Sequence, residues 1–291
     1  MNGPAVKPIG KPWLLASPAV LWLVVFGLAP LVFMVAMSFW KSTIFGTRPD
    51  FQLGNYARQL SEPLYGTLML KSLRIATAST LLALVVSYPI AYFMTRLRGV
   101  WKSVFIIGLF MPFWTSYVVR TFVWLPILGR AGAINTALMW LGIIDRPIDW
   151  LIYNEGTIYL GLVYVYTLFM VLPIYLSLDR IDPRLIEAAV DLGARPWSVL
   201  WRILLPLSWP GVLSGCIMVF LLGIGAYVTP RLLGGPSGIM YGNMIADQFL
   251  SNNNWAFGAA LGTTLALVVV ILLLITGRWI GIRQVFTGGR F

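Results

Sequence analysis

The segment EAAVDLGARPWSVLWRILLP, from Glu187 to Pro206, has a distinctive spacing of charged and small residues. Asp182-Pro183 before it is a helix start signal, and Gly193 is a matching stop. A helix between these signals has one apolar stripe, formed by Leu185, Ala188, Ala189 and Leu192. The chemistry that this pattern predicts is recognition rather than catalysis. Because the two alanines keep the stripe shallow, another protein could approach the helix backbone closely.

The opposite face of this helix is charged and carries Arg184, Glu187 and Asp191. A helix lying on the bilayer surface is the alternative interpretation. Such helices favour Lys and Arg on the polar face and bulky apolar anchors below, whereas this helix offers two acids and two alanines. We therefore favour a protein-docking helix. A second short helix is expected to begin at Pro196 and to end before Pro206.

Residues for catalysis or cofactor binding are sparse. The chain has no histidine and one cysteine, Cys216, which excludes histidine-based triads, the usual zinc sites and an internal disulfide. The nucleotide-binding pattern G-x-x-x-x-G-K-[ST] is missing, and the apolar runs contain no lysine for a Ser–Lys pair. We expect this chain to be no enzyme and to bind no cofactor itself.

The composition is that of a membrane protein. Of 291 residues, 59% are hydrophobic and 11% are charged, against about 25% charged in ordinary soluble domains. Because a spanning helix needs about 20 mostly apolar residues, the sequence predicts one all-α membrane domain over residues 1–291. It has six spans, at about 14–39, 72–95, 103–125, 157–178, 207–230 and 257–280, and a loop at 179–206. A shorter run, Ala131–Ile144, predicts an interfacial or re-entrant helix.

Loop charges predict the orientation. With the N-terminus inside, the inner segments carry the larger excess of Lys and Arg over acids, notably in TRLRGVWK (95–102) and the C-terminal tail. Both termini and the 179–206 loop are therefore predicted to be cytoplasmic. The net charge of +11 lies in small groups between apolar runs, which indicates membrane topology rather than nucleic-acid binding.

A candidate translocation path is marked by aromatic residues and one arginine. Because the predicted spans contain no acid, a cation crossing them would meet aromatic faces and carbonyl dipoles. For each aromatic residue the alternative is an interfacial belt or plain packing. Arg120 either holds an outer gate, through backbone carbonyls or an acid of another chain, or snorkels to the interface. The candidate path residues are Tyr88, Trp114, Tyr117, Arg120, Tyr164, Tyr166 and Tyr227.

The docking segment resembles a known signature. Glu187-Ala188-Ala189, three residues, Gly193, nine residues and Ile203-Leu204-Leu205-Pro206 match the EAA pattern (EAA-x3-G-x9-I-x-L-P) of ABC importer permease subunits. The resemblance implies the type I importer permease architecture, in which this loop forms a coupling helix that docks on the ATPase. The implied coupling residues are Glu187, Ala188, Ala189, Asp191, Gly193 and Arg195. Arg195 departs from the family, which more often has a small Ser or Thr capping the second helix.

The resemblance extends over nearly the whole chain. PFWTSYVVRTFVW (112–124), LLGGPSGIMYGNMI (232–245) and NWAFGAAL (254–261) are similar to the spermidine/putrescine permeases of the PotB/PotH type. The resemblance implies polyamine import across a bacterial inner membrane by alternating access. The implied partners are a cytoplasmic ATPase dimer that binds ATP and Mg²⁺, a second, related permease, a periplasmic solute-binding protein and membrane lipid.

Two alternatives remain at this stage. A permease of this kind could serve another small amine, an amino-acid derivative or a phosphonate. A secondary transporter would belong to a different class, but it should have intramembrane acids or related repeats forming an ion site. Neither is evident in the sequence, and that class leaves the EAA segment unexplained.

Overall fold

The computed structural model describes residues 12–43 and 46–280, and these residues are predominantly helical. One short antiparallel hairpin joins β1 (Lys41–Thr43) and β2 (Gly46–Arg48). The α-helices are α1 (Pro12–Trp22), α2 (Ala29–Met37), α3 (Gly54–Ser61), α4 (Pro63–Arg96), α5 (Val100–Phe110), α6 (Tyr117–Phe122), α7 (Trp124–Leu128), α8 (Ala133–Trp140), α9 (Glu155–Leu178), α10 (Pro183–Asp191), α11 (Pro196–Val199), α12 (Leu205–Ile224), α13 (Val228–Leu233), α14 (Tyr241–Leu250) and α15 (Trp255–Ile280).

Six helical segments of the described chain are long and apolar enough to cross a membrane. They are Ser17–Met37, Pro63–Arg96, Tyr117–Trp140, Asp149–Leu178, Pro196–Ile224 and Trp255–Gly277. The predicted class, an all-α membrane protein with six spans, is confirmed. Residues 1–11 and 281–291 lie outside the described residues, so the cytoplasmic placement of both termini remains a prediction.

The structure differs from the prediction in the region of the third span, 103–125, which is not one uninterrupted helix. A single 3₁₀ turn, Met111–Trp114, follows α5, and Thr115 and Ser116 then take non-helical backbone angles before α6 begins. Pro112 has no N–H group for the helix ladder, and its carbonyl accepts a hydrogen bond of 2.7 Å from the Thr115 hydroxyl. The segment of this region that is long and apolar enough to cross a membrane is Tyr117–Trp140. It is itself divided into α6, α7 and α8, and it includes most of the shorter run predicted as a separate helix.

Two compact units make up the chain, and each is described by itself. The first comprises Met1–Ser61 and Asp247–Val268. Within its described residues, the Asn55 side chain donates hydrogen bonds to the carbonyls of Ser38 and Trp40, at 2.8 and 2.9 Å. The Arg58 guanidinium lies 4.6 Å from the centre of the Phe257 ring. Polar side chains thus hold α3 against the end of α2 and the start of α15.

The second unit comprises Glu62–Ala246 and Val269–Phe291, and its core is formed by α4, α9 and α12. Gly211 and Gly215 of α12 allow a close approach to α9. A Cβ atom built on Gly211 would lie 2.4 Å from the Pro173 carbonyl oxygen, and one on Gly215 would lie 2.7 Å from the Met170 sulfur. This G-x-x-x-G spacing puts both glycines on one helix face, which is a common way to bring membrane helices together.

Candidate functional site

The predicted docking segment begins and ends where its sequence signals place it. The Asp182 side chain accepts a hydrogen bond of 3.0 Å from the Arg184 amide at the start of α10, and Pro183 is the first helical residue. At the other end Gly193 has φ of +79°. The amides of Gly193 and Ala194 donate to the carbonyls of Val190 and Ala189, at 2.8 and 2.9 Å. This αL ending stops α10 after nine residues.

The exposed face of α10 contains most of the predicted coupling residues. Glu187, Ala188, Asp191, Gly193 and Arg195 are exposed, and Ala189 is half-buried. The inward face is formed by Ile186 and Ala189, which pack with Ala194 against the core of the second unit. The sequence prediction missed Ile186, although its spacing of three from Ala189 is the expected signal of a buried helix face.

The apolar stripe predicted for α10 does not face the protein's own core. Leu185 is 51% exposed and Leu192 is 89% exposed, and Ala188 between them is also open. Only Ala189 of the stripe contacts the core. An exposed apolar stripe beside two exposed acids is the surface expected of a docking site for another protein.

The second half of the segment differs from the prediction, because no helix ends before Pro206. After α11 the chain forms a π-helical turn over Leu200–Leu204 and continues directly into α12. The Leu205 amide donates to the Leu200 carbonyl, and this wider hydrogen-bond pattern lets the helix pass the missing N–H of Pro206. Arg195 is the N-cap of α11 and makes no side-chain capping hydrogen bond, as the departure from the family pattern implied.

An ion pair holds the start of the loop. Lys102 Nζ lies 3.1 Å from Asp179 Oδ1 and 5.2 Å from the centre of the Tyr175 ring. The Tyr175 hydroxyl and the Asp179 carboxylate raise the pKa of Lys102 above its usual value, so the ammonium group stays charged at neutral pH. A cleft of about 220 Å³ lies beside α10, with the charged lining residues Arg96, Arg98, Asp179 and Glu187. From the sequence, Lys102 was recognisable only as a loop charge in TRLRGVWK (95–102), and no local signal indicated the cleft.

Gly193→Val should damage the docking segment locally. A β-branched residue is strained at φ of +79°, by about 1–2 kcal/mol, so the end of α10 should rearrange. If α10 docks on the ATPase that the sequence resemblance implies, less ATPase should be recovered with the purified chain, and the melting temperature of the membrane helices should be unchanged. Gly142→Val is the matched control, because Gly142 also has positive φ, +67°, with nothing within 4 Å of its built Cβ. Equal loss in both variants would contradict a role specific to the segment.

The hydroxyl groups of three predicted path residues form hydrogen bonds between helices of the second unit. Tyr88 and Ser208 hydroxyls lie 3.1 Å apart, and those of Tyr117 and Thr229 lie 2.8 Å apart. The Tyr166 hydroxyl donates to the Leu222 carbonyl at 3.2 Å. These bonds join α4 to α12, α6 to α13 and α9 to α12. The three tyrosines therefore have a clear packing role.

The other predicted aromatic residues lie at the surface of the chain. Trp114 is 79% exposed, and Tyr164 and Tyr227 are also exposed. The structure therefore does not bring the seven predicted path residues together in one pocket. Their role in a path is still a prediction.

Arg120 is buried, with only 9% of its surface exposed, and its role in a gate or at the interface is still a prediction. It lines a cavity of about 440 Å³ together with Tyr164 and Phe113. The guanidinium carbon lies 4.2 Å from the centre of the Phe113 ring, in a cation–π contact.

The apolar spans define the chain as a multi-pass membrane protein, and its exposed helical loop offers a surface on which a partner could dock. The sequence profile of the family described as "Binding-protein-dependent transport system inner membrane component" matches residues 75–282. The chain belongs to this family. It is an inner-membrane transport component and not an enzyme.

Individual relatives cover most of the chain. It is 38% identical over 264 residues to the "Spermidine/putrescine transport system permease protein PotB" of Escherichia coli K12, covering 88% of this chain and 93% of that protein. The PotB protein of Haemophilus influenzae is 34% identical over 259 residues, covering 88% and 90%. Among solved structures, a bacterial ABC transporter that imports the acidic polysaccharide alginate has a chain with a TM-score of 0.75. That similarity covers 92% of this chain and 94% of the other at 17% identity, and it supports the fold.

Proposed function

We propose that this chain is a permease subunit of an ATP-driven polyamine importer, with spermidine or putrescine as the solute. The observation that carries the proposal is the complete EAA segment, folded as an exposed helix with a charged face and an open apolar stripe. The similarity to PotB over most of the chain supports the choice of solute.

The proposed partners follow from what the chain lacks and from its family. It has no nucleotide-binding loop, so a cytoplasmic ATPase dimer would bind ATP and Mg²⁺ and dock on α10. A second, related permease would complete the membrane part. A periplasmic solute-binding protein would deliver the polyamine, and one of the structural neighbours contains a solute-bound periplasmic protein of this general kind.

Energy transfer would use the continuous helix after the docking segment. Because the helix runs without interruption from Pro196 to Ile224, a displacement at its cytoplasmic start would move the fifth span. Closure of the ATPase dimer would shift α10 and this helix, and the two permeases would open to the loaded receptor. Such alternating access requires two conformations whose contacts with the ATPase differ.

The solute path would form between the two permeases rather than inside this chain. Two of the predicted aromatic residues that lie at the surface, Trp114 and Tyr227, would then present their ring faces to an ammonium group. A permease for another small amine, an amino-acid derivative or a phosphonate would use the same docking segment. Solute choice in such a system would depend on the binding protein as well as on this chain.

Uptake into proteoliposomes tests the proposal. The complex purified from the producing organism through a tag on this chain would be reconstituted with its binding protein outside and ATP inside. We expect uptake of radiolabelled spermidine or putrescine that stops when ATP is replaced by a non-hydrolysable analogue. Uptake that persists without ATP hydrolysis would support a secondary transporter. ATP-dependent uptake of another solute, with no competition by polyamines, would contradict the proposed substrate.

A further inference from the structure

An unpaired arginine lies at the edge of the cavity next to α6. Arg120 Nε and Nη1 are both buried, and neither has a hydrogen-bond partner within the described residues. A guanidinium group has five N–H donors and no acceptor. A buried charge whose donors make no hydrogen bonds is strongly destabilising. We therefore expect a hydrogen-bond acceptor to contact this side chain in the functional state.

The contacts that Arg120 makes leave its buried in-plane donors, on Nε and Nη1, unused. The Phe113 ring lies over one face of the guanidinium, at 4.2 Å, but an aromatic face does not accept the N–H groups at the edge. The cavity beside it holds about 440 Å³ and is lined mainly by apolar residues of α4, α5, α7 and α9. The lining residues Val86, Leu160 and Tyr164 are exposed, so the cavity opens at the surface of the chain.

None of the residues that line this cavity is acidic. Three acids of the chain already pair with other bases: Glu155 with Arg74, Asp179 with Lys102 and Asp149 with Arg130. The acids of α10 belong to the docking segment. No acid of the described residues lines the cavity or pairs with Arg120, so a carboxylate that pairs with it would come from another chain.

We propose that this cavity receives a carboxylate side chain of the second permease, which forms an ion pair with Arg120 in the assembled transporter. The inference rests on the proposed function, because it requires a second permease. Two carboxylate oxygens can accept hydrogen bonds from the planar N–H donors of a guanidinium. The positive charge of Arg120 would repel a polyamine cargo. The cavity would thus be an assembly site rather than part of the solute path.

Burial favours a protein carboxylate over a lipid phosphate. Arg120 is only 9% exposed, and its cavity is lined mainly by apolar residues, whereas lipid phosphates lie in the hydrated headgroup region. A second copy of this chain is a poor source too, because the acids within the candidate spans of the described residues, Asp149 and Glu155, already pair with Arg130 and Arg74.

The test compares Arg120→Met with Arg120→Lys in the complex purified through a tag on this chain. The readouts are the amounts of second permease and ATPase recovered and the melting temperature of the chain purified alone. We expect at least about a tenfold loss of the second permease with Arg120→Met and a smaller loss with Arg120→Lys. The isolated Arg120→Met chain should melt at the same or a higher temperature than the wild type, because an unpaired buried charge is removed. Arg130→Met is the matched control and should keep the second permease.

A charge exchange identifies the partner residue. Arg120→Glu should lose the second permease, and replacing one intramembrane acid of that permease by arginine should restore it. Unchanged recovery of the second permease with Arg120→Met would overturn the inference, and so would a lower melting temperature of the isolated variant. Neither result would contradict the proposed function. Loss of a bound anionic phospholipid, with the permease ratio unchanged, would assign the site to a lipid phosphate instead. If the wild-type chain recovers neither permease nor ATPase, both proposals fail.

Discussion

In the proposed importer, Glu187→Lys should release the ATPase while the membrane helices stay folded. Glu187 is exposed on α10, beside the open residues Ala188 and Asp191, so no core packing depends on it. Reversal of its charge would replace an acid by a cation in the proposed interface, which would weaken the free energy of association by about 2 kcal/mol or more. We expect at least about a 30-fold weaker association, since 1.4 kcal/mol corresponds to a factor of ten. Quantitative co-purification through a tag on this chain measures the effect.

The control for this prediction is Asp145→Lys. Asp145 is also exposed and lies between α8 and α9, away from the docking segment in sequence. It undergoes the same change from acid to lysine, so a general effect of added positive charge would appear in both variants. Equal ATPase loss in the two variants, or none in Glu187→Lys, would contradict the coupling role of α10.

Gly211→Ala is expected to have the largest effect on the fold. The added methyl group would lie 2.4 Å from the Pro173 carbonyl oxygen and 2.6 Å from the Ser177 Cβ atom, so α9 and α12 would have to move apart. Overpacking of this kind costs about 1–3 kcal/mol or more, and here the obstacle includes rigid backbone. We expect a melting temperature lower by several degrees and a poor yield of monodisperse protein in detergent.

Gly66→Ala in α4 provides the comparison, because nothing lies within 4 Å of a Cβ atom at that position. The same change there should be neutral or stabilising, since alanine is favoured over glycine inside a helix by about 0.5–1 kcal/mol. A melting temperature for Gly211→Ala as high as that of Gly66→Ala would contradict the close contact between α9 and α12.

Local signals predicted the bounds of the docking helix well. Asp182 with Pro183 starts α10, and Gly193 ends it, because each signal acts through hydrogen bonds within a few residues. The face of α10 that packs inward was ambiguous in the sequence. The Ile186–Ala189 spacing and the Leu185–Leu192 stripe both fit a buried helix face, and only the packing of the folded chain shows that the first one contacts the core.

The path residues show a second limit of sequence reasoning. Tyr88, Tyr117 and Tyr166 have the same residue type as Tyr164 and Tyr227, yet the first three bond between helices and the last two are exposed. Residue type cannot separate these roles, since tyrosine serves packing and recognition equally well. The break after Pro112 was also missed, because a proline inside a membrane helix often leaves it continuous, as Pro89 does in α4.

Cross-linking from α10 tests the central claim most directly. A photoreactive group would be attached to Ala188→Cys in a chain whose single cysteine, Cys216, is replaced by serine. Illumination of the purified complex, with and without ATP, would then be followed by identification of the linked protein. The coupling account predicts a cross-link to the ATPase whose yield changes with nucleotide. A cross-link to lipid alone, from a complex that contains the ATPase, would contradict it.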